Sequence, residues 1–267
     1  MVKGLYTAYT GMMNEQNRMD VLSNNLANSS TTGYKKEGSV AQAFSDQLAI
    51  KIKDHSEADI PRGLGVINQG VKIGETYTDY SSGPFQVTDI DSNLAVAGDG
   101  FFAIAFTDRN GNTSVKYTRD GEFTVNSDGY LVTSDGNHVL NQTGAMNSDP
   151  SEANWVRIDP LSKYTIDSQR NIWQNDTNIG NVGLVDFADR NYLSRYGENA
   201  YDLVAGGTVQ NATGTIEQGT LEDSNVNVVD EMINLISVSR AYEAGQKMIQ
   251  AEDETLQMAV SDVGRVS

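Results

Sequence analysis

One segment of the sequence resembles a nucleotide-binding motif, and it reads Gly98-Asp99-Gly100-Phe101-Phe102-Ala103. Its spacing follows the G-x-G-x-x-A pattern of dinucleotide-binding proteins. Phosphate binding by that pattern needs the N-terminus of a helix directly after the glycines, because free N–H groups there hold the anion. The apolar and aromatic residues that follow these glycines favour a strand instead. We therefore expect a tight turn between two strands, and no cofactor.

A second segment has the spacing that opens an EF-hand calcium loop, with Asp89, Asp91 and Asn93 at alternate positions. Such a loop requires a glycine at its sixth position and a bidentate glutamate at its twelfth. This sequence has Leu94 and Gly100 at those two positions. We expect a surface turn here rather than a metal site.

The remaining side chains with catalytic potential form no recognisable constellation. The two histidines, His55 and His138, stand in no catalytic-triad or metal-ligand spacing. The chain has no cysteine, which excludes disulfides, thiolate nucleophiles and zinc–thiolate sites. We therefore predict a protein that is not an enzyme and takes no small-molecule substrate.

The composition narrows the classes of partner. The formal net charge of the 267 residues is −17, which argues against binding to nucleic acid or to an anionic membrane. No apolar run has the length of a membrane-spanning helix, and the N-terminal residues lack the apolar core of a signal peptide. These features place the protein in the cytoplasm, or predict export by a route without a cleaved signal.

The elements that must organise the fold stand at the two ends of the chain. Near the N-terminus, an apolar residue recurs every seven positions, which is typical of one edge of a coiled-coil seam. Its members are Leu5, Met12, Met19 and Leu26. The stripe is narrow, so a single amphipathic helix packed on a globular domain is the alternative interpretation.

The C-terminal stripe is longer and has no gap. Its members are Val228, Leu235, Tyr242, Ile249, Leu256 and Val263. An uninterrupted period of seven predicts a long helix with a narrow seam. Asp223 or Ser224 is the expected N-cap, and Asp230 and Glu231 suit the positive end of the helix dipole.

The two terminal segments carry opposite charge balances, which favours pairing between them. Residues 1–36 contain four basic and two acidic side chains, and residues 221–267 contain three basic and nine acidic ones. One narrow seam buries too little apolar surface to offset the backbone entropy of ordering so long a helix. We therefore expect an assembly subunit whose ends become ordered when neighbouring subunits cover them.

Between the helices the sequence is β-rich. Asp-Gly pairs at 120–121, 128–129 and 135–136 separate short alternating runs, which predicts a β-meander with hairpin turns. The fold class is therefore α+β, with residues 1–36 as N-terminal helix, 71–220 as central β-rich domain and 221–267 as C-terminal helix. Residues 37–70 are predicted to be an irregular, extended connector.

Three groups of motifs resemble those of the bacterial flagellar axial proteins. The first is Leu22-Ser23-Asn24-Asn25-Leu26-Ala27-Asn28 with Thr32-Gly33-Tyr34-Lys35, and the second is Asp99-Gly100-Phe101-Phe102 with Tyr117-Thr118-Arg119-Asp120-Gly121-Glu122-Phe123. The third is Gly219-Thr220-Leu221-Glu222-Asp223-Ser224-Asn225-Val226-Asn227 with Arg240-Ala241-Tyr242-Glu243. Size and motif set are most similar to those of the basal-body rod proteins, proximal or distal.

The resemblance implies a structural subunit of the flagellar basal-body rod, which forms the drive shaft between motor and hook. It implies export in unfolded form through the flagellar type III apparatus. It also implies that the terminal helices pair as an inner coiled-coil layer, with the β domain outside. The implied partners are copies of the chain and other rod and hook subunits.

The resemblance also gives a role to the amide-rich end of the first helix. Asn24, Asn25, Asn28, Gly33 and Tyr34 would lie where the inner helix leads into the outer domain, and the amides are candidates for bonds between subunits. Locally, Asn28 can adopt the left-handed conformation of a helix end and Gly33 can take any turn geometry. An ordinary polar helix cap explains the same composition.

Three alternatives remain open on sequence alone. A hook-type axial subunit would share the motifs, although hook proteins usually carry an additional outer domain. A secreted coiled-coil adhesin would share the heptads and form a stable trimer. A β-domain enzyme or glycan binder would place its function in residues 70–220, independently of the termini.

Overall fold

The computed structural model describes residues 2–51 and 62–264, and these form two compact units. The first unit combines the ends of the chain with residues 37–79, and the second contains residues 28–36 and 80–226. Within the described residues, no helix combines the length and the apolar character needed to cross a bilayer.

The first unit contains the two long helices, α1 (Val2–Ala27) and α3 (Val228–Gly264). Its four strands are β1 (Glu37–Ala43), β2 (Gln47–Lys51), β3 (Arg62–Ile67) and β4 (Val71–Thr78). Strand β1 pairs antiparallel with β4, and β2 pairs antiparallel with β3. The prediction of an irregular stretch over residues 37–70 was therefore wrong. Strand β1 is mostly polar and its last four residues are exposed, so it lacks the apolar alternation that reveals a half-buried strand.

The second unit is β-rich, as predicted. Its strands are β5 (Phe85–Val87), β6 (Leu94–Ala97), β7 (Phe101–Thr107), β8 (Thr113–Thr118), β9 (Phe123–Val125), β10 (Leu131–Thr133), β11 (His138–Val139), β12 (Tyr164–Ile166), β13 (Asn171–Gln174), β14 (Thr177–Asn181), β15 (Leu184–Phe187), β16 (Leu193–Tyr196), β17 (Ala200–Leu203), β18 (Val209–Asn211), β19 (Thr215–Gln218) and β20 (Thr220–Glu222). A short helix, α2 (Gln142–Asn147), follows β11.

Strand β7 is the centre of the main sheet. It pairs antiparallel with β8 on one edge and with β11 and β15 on the other. Its side chains alternate between two buried clusters, with Phe102 and Ile104 in one and Phe101, Ala103 and Ala105 in the other. Because both faces are covered, this strand is almost continuously apolar in sequence.

Two of the three predicted hairpin turns are confirmed. Strand β10 pairs antiparallel with both β9 and β11, through the Asp-Gly pairs at 128–129 and 135–136. The prediction for Asp120-Gly121 was wrong, because β8 and β9 lie at different places in the sheet, whose order is β16-β17-β8-β7-β11-β10-β9. A side chain at Gly121 would overlap with the carbonyl of Leu94, so this glycine allows a close backbone approach instead.

The helix boundaries also differ from the predicted domain limits. Helix α1 ends at Ala27, and α3 begins at Val228 rather than near residue 221. Thr220–Glu222 pair with β5 as a strand, and the side chain of Asn227 accepts a bond from the N–H of Val229. Asn227 is therefore the N-cap, in place of the predicted Asp223 or Ser224.

Two further differences concern the units. Strand β4 pairs with β1 and lies in the first unit, although residues from 71 onward were assigned to the β-rich domain. Residues 28–36 and 221–226, assigned to the terminal helices, belong to the second unit.

Candidate functional site

A buried ion cluster lies in the second unit, where the three groups of family-like motifs meet. The Nζ of Lys35 is 2.6 Å from Oε1 of Glu222, and Nη1 of Arg119 is 3.3 Å from Oε2 of the same carboxylate. All three side chains are at most 1% exposed. The N–H of Gly83 also donates to Oε1 of Glu222, at 2.9 Å.

Both cations of this cluster also bond to backbone carbonyls, whereas the buried Nε of Arg119 has no hydrogen-bond partner among the described residues. Lys35 Nζ donates to the carbonyl of Ser81 at 2.8 Å, and Arg119 Nη2 donates to that of Gly98 at 2.8 Å. Burial lowers the pKa of Arg119, while the carboxylate of Glu222 opposes that shift. Buried charges persist only when paired and hydrogen-bonded, so Glu222 is the group on which both cations depend.

The polar segment after α1 packs onto the residues next to this cluster. The N–H of Gly33 donates to the carbonyl of Glu222 at 2.7 Å. Its φ is +66°, and a side chain there would overlap with the backbone of Arg119 and Asp120. Glycine is therefore required on both counts. The left-handed conformation of this turn lies at Gly33 and not at Asn28.

Asp120 is a second buried carboxylate beside Gly33. It accepts hydrogen bonds from Thr32 Oγ1 at 2.8 Å, from Asn199 Nδ2 at 2.7 Å and from the N–H of Glu122 at 3.0 Å. Burial raises its pKa, and the hydrogen bonds from Glu122 and Thr32 limit the rise. Ionisation of this carboxyl therefore costs free energy in the folded unit.

Tyr34 and Lys36 complete the attachment of the segment. Tyr34 is fully buried, and Arg195 lies over its ring at 4.5 Å while donating to its hydroxyl at 3.2 Å. The N–H of Lys36 donates to Oδ1 of Asn225 at 2.8 Å. Of the predicted site residues, Gly33 and Tyr34 are therefore brought together inside the second unit.

Asn25 has a separate role, inside the first unit. Its Nδ2 donates to the carbonyl of Glu37 at 2.8 Å and its Oδ1 accepts from the N–H of Glu37 at 3.0 Å. The side-chain amide thus bonds the first residue of β1 as a neighbouring strand would. Nδ2 also lies 3.5 Å from Oε2 of Glu231, and both side chains are fully buried.

The two long helices lie side by side and run in opposite directions. Asn25 contacts Glu231 near one end. A side chain at Gly245 would crowd Met12, and one at Gly4 would overlap with the carboxylate of Glu252. The α3 positions at 231, 245 and 252 are separated by multiples of seven, so one face of α3 follows α1 over this length.

The predicted stripe residues occupy different environments. Those that are partly buried are Met12, Met19, Leu26, Leu235, Tyr242 and Ile249. Leu5, Val228 and Leu256 are 36–38% exposed. Val263 lies in α3, and its side chain falls outside the part that the structure describes. Asn24 is exposed, and Asn28 is partly buried, with its Oδ1 accepting from Thr31 Oγ1 at 3.3 Å.

Sequence reasoning missed the most buried positions of α3, which are Glu231 at 0% and Val238 at 2% exposure. They belong to the second heptad stripe, at 231, 238, 245 and 252. Glutamate and glycine occupy three of these four positions, so the stripe has no apolar signature. The spacing of three and four from the predicted stripe was the one available signal.

Each helix also carries apolar side chains on an exposed face, apart from the two heptad stripes described above. On α3 they have the spacing i, i+3, i+4, i+7 of one helix face, and on α1 the spacing i, i+3, i+7. The residues are Val229, Met232, Ile233 and Ile236 on α3, and Tyr6, Tyr9 and Met13 on α1, all between 40 and 63% exposed. We refer to these residues as the outer stripes.

The chemical motifs considered at the start have structural roles. Gly98 and Gly100 have φ angles of +102° and +152° and lead into β7, which confirms the turn before a strand. His138 stacks on Trp155 with ring centroids 3.7 Å apart, and burial lowers its pKa. His55 lies outside the described residues.

Comparison with protein-family models gives three matches, in chain order. Residues 5–35 match the model described as flagella basal body rod protein. Residues 95–186 match the flagellar hook protein FlgE/F/G D1 domain, and residues 217–262 match the flagellar basal body rod FlgEFG protein C-terminal model. The residues that meet in the ion cluster fall in each of these matches.

Curated relatives match over nearly the whole chain. The flagellar basal-body rod protein FlgG of Buchnera aphidicola subsp. Schizaphis graminum is 34% identical, with 96% of this chain and 98% of that protein covered. FlgG of Bacillus subtilis is also 34% identical, with 98% and 99% covered. The rod protein FlgF of Caulobacter vibrioides is 31% identical over all of both chains. The chain therefore belongs to the flagellar basal-body rod protein family.

Proposed function

We propose that this chain is a structural subunit of the bacterial flagellar rod, located in the basal body, and that its role is structural rather than catalytic. The observation that carries the proposal is the match to rod proteins across 96–100% of the chain, helices and β-rich unit alike. A secreted adhesin is not favoured, because these relatives are rod proteins over their full length.

Assembly occurs through the terminal helices. Helices α1 and α3 pair as a coiled coil, and their outer stripes pack against the helices of neighbouring rod and hook subunits. An apolar stripe on an exposed helix face is stabilised by burial, at about 25 cal/mol for each Å² removed from water. Ile233 is 60% exposed, which supports this arrangement, because an apolar side chain that stays mostly in water contributes little to the stability of the isolated chain.

The β-rich unit acts as a rigid body in the rod. The chain contributes residues 28–36 to this unit directly after α1, returns to it at residue 80, and leaves it at residue 226 before α3. Gly33 and Lys35 of the first passage bond to Glu222 near the end of the second. Torque applied to the helices is thereby transferred to the buried core rather than to a loose loop. Closed networks of buried charges resist local distortion because any displacement leaves an unpaired ion.

The route to the rod is export as an unfolded chain through the flagellar type III apparatus. The absence of cysteine suits this route, since no disulfide has to be reduced before export or formed after it.

The test is deletion of the gene followed by complementation, with hook–basal bodies purified from each strain. We expect the deletion strain to be non-motile, the complemented strain to swim, and the chain to be present in purified basal bodies by mass spectrometry. A motile deletion strain, or basal bodies that lack the chain, would refute the proposal.

A further inference from the structure

The tip of the hairpin between β7 and β8 contains a dipeptide that can modify itself, Asn110-Gly111. It is the one Asn-Gly pair in the sequence. The backbone nitrogen after an asparagine can attack the side-chain amide carbon, and a glycine hinders that attack least because it has no side chain. Both residues are exposed, and open space surrounds Gly111. Sequence and exposure together make this pair the candidate site for the reaction.

The reaction needs only water as a co-reactant. The nitrogen of Gly111 loses its proton and forms a bond to Cγ of Asn110, which closes a succinimide ring. The bond from Cγ to Nδ2 breaks, and ammonia leaves with that proton. Water then opens the ring at either carbonyl, and the product is aspartate or isoaspartate. The net change is the exchange of the amide nitrogen for an oxygen, without transfer of electrons.

The structure restrains both reacting groups, and Asp108 supplies each restraint. The N–H of Gly111 donates to the carbonyl of Asp108 at 2.8 Å. Nδ2 of Asn110 donates to Oδ2 of Asp108 at 3.0 Å, and the N–H of Arg109 donates to Oδ1 at 2.7 Å. Ring closure takes the proton out of the first bond and moves Nδ2 out of the second. Both hydrogen bonds therefore oppose the reaction.

We propose that Asn110 is the site at which this chain deamidates, and that Asp108 is the positioning residue that keeps the reaction slow in the folded protein. The inference goes beyond the proposed function and does not depend on it. Asn126 also precedes a small residue, but it is only partly exposed, and its Oδ1 accepts from the N–H groups of Asp128 and Tyr130 at 3.0 and 2.8 Å. Asn126 therefore reacts more slowly than Asn110.

Deamidation changes both the charge and the backbone of this tip. The product places a second carboxylate beside Asp108, where the wild-type amide donates a hydrogen bond, and like charges at this distance repel each other. Isoaspartate also adds a methylene group to the backbone between residues 110 and 111. The N–H of Asp108 donates to the carbonyl of Asn112 at 2.9 Å, and this bond spans the added group. The modified hairpin is therefore expected to open at its tip.

The site is tested by ageing the purified full-length chain in mildly alkaline buffer. Trypsin cuts after Arg109 and Lys116, so residues 110–116 form a reporter peptide. Fragment masses distinguish Asn110 from Asn112 within it. We expect conversion of Asn110 before that of any other asparagine. Earlier conversion of another asparagine would overturn the assignment of the site.

The role of Asp108 is tested by three variants under the same conditions. Asp108→Ala is expected to raise the rate about fivefold, which is the factor that one exposed hydrogen bond supplies. Asp108→Asn keeps one side-chain oxygen and is expected to lie between. Asp135→Ala removes an exposed aspartate from another hairpin turn, changes the net charge equally and is expected to leave the rate unchanged. A rate for Asp108→Ala at or below that of wild type would overturn this role, since a carboxylate acting as general base would speed the reaction.

The same measurement in urea separates the folded structure from the local sequence. Wild type and Asp108→Ala are expected to react at equal rates in the unfolded chain, because the hydrogen bonds of the tip are then absent. An equally large difference in urea would assign the effect to the neighbouring sequence and overturn the role of Asp108. None of these outcomes bears on the rod assignment, which is tested on purified basal bodies.

Discussion

The buried carboxylate of Glu222 provides the most direct test of how the β-rich unit is held together. Glu222→Gln keeps the shape and one carbonyl oxygen but removes the negative charge shared by Lys35 and Arg119. Breaking a buried ion pair by neutralising one partner costs about 3–5 kcal/mol of unfolding free energy, because a buried charge is left uncompensated. For a unit of this size, that corresponds to a fall in Tm of about 10 °C.

Tryptophan fluorescence during urea or thermal unfolding measures this change. The two tryptophans of the chain, Trp155 and Trp173, both lie in the second unit, so their signal reports on that unit. Glu217→Gln is the matched control, because Glu217 is an exposed glutamate in the adjacent strand β19. Its expected effect is within about 0.5 kcal/mol.

A double variant separates loss of charge from loss of shape. Lys35→Met combined with Glu222→Gln removes one of the two cations that the single variant leaves unpaired. The double variant is therefore expected to cost less than the sum of the two single variants. The explanation would be refuted if Glu222→Gln were as stable as Glu217→Gln, or if the two substitutions were additive.

Three further predictions follow from the same unit. Gly33→Ala is expected to destabilise this unit by about 2–4 kcal/mol in urea unfolding, because φ is positive and the added side chain would overlap with neighbouring backbone. Gly111→Ala is the control: its φ is +82° but the space around it is open, so it should cost only about 1–2 kcal/mol. Because burial raises the pKa of Asp120, its contribution to stability is fully present below about pH 3.8 and is lost as the pH rises through the raised value. The unfolding free energy of the wild type minus that of Asp120→Asn should therefore decrease as the pH is raised from 3 to 7. An increase over this range would contradict the burial of this carboxyl. Finally, a fragment of residues 28–226 is expected to unfold cooperatively. A fragment of residues 80–226, which lacks Lys35, is not. Equal stability of the two fragments would show that residues 28–36 are dispensable for this unit.

The long helices could be predicted from sequence because their periodicity reports directly on helical geometry. A stripe every seven residues is found in α1 and α3, with Leu235, Tyr242 and Ile249 partly buried. The start of α3 could not be placed, because the strand at Thr220–Glu222 and the cap at Asn227 depend on partners distant in sequence. Local polar composition is the same for a cap at Ser224 and one at Asn227.

The ion cluster shows why much of the site was not predictable. Lys35, Arg119 and Glu222 each stand in a polar stretch, and isolated charged residues are almost always assigned to the surface. Only the fold brings both cations within 3.3 Å of the Glu222 carboxylate. Their motifs carried the family resemblance, and the structure adds the physical reason that these residue types are needed together.

The amide-rich end of α1 illustrates the same limit at a single residue. Asn25 was predicted as a site residue, but its composition fits both a helix cap and a contact between subunits. In the structure it bonds the backbone of Glu37 within its own chain, and it is fully buried. Sequence therefore identified the residue, and the partner depended on where β1 begins.

The outer stripes provide the most direct test of whether the helices assemble through faces that are exposed in the isolated chain. Ile233→Asp with Ile236→Asp places two charges on the outer stripe of α3, whereas Asn234→Asp places one on an exposed position of the same turn. Swimming in soft agar and the amount of chain in purified basal bodies are measured for each strain. We expect the double variant to lose both swimming and incorporation while the purified chain keeps an unchanged circular dichroism spectrum, and we expect wild-type behaviour for Asn234→Asp. Normal swimming and normal incorporation of the double variant would contradict assembly through these faces.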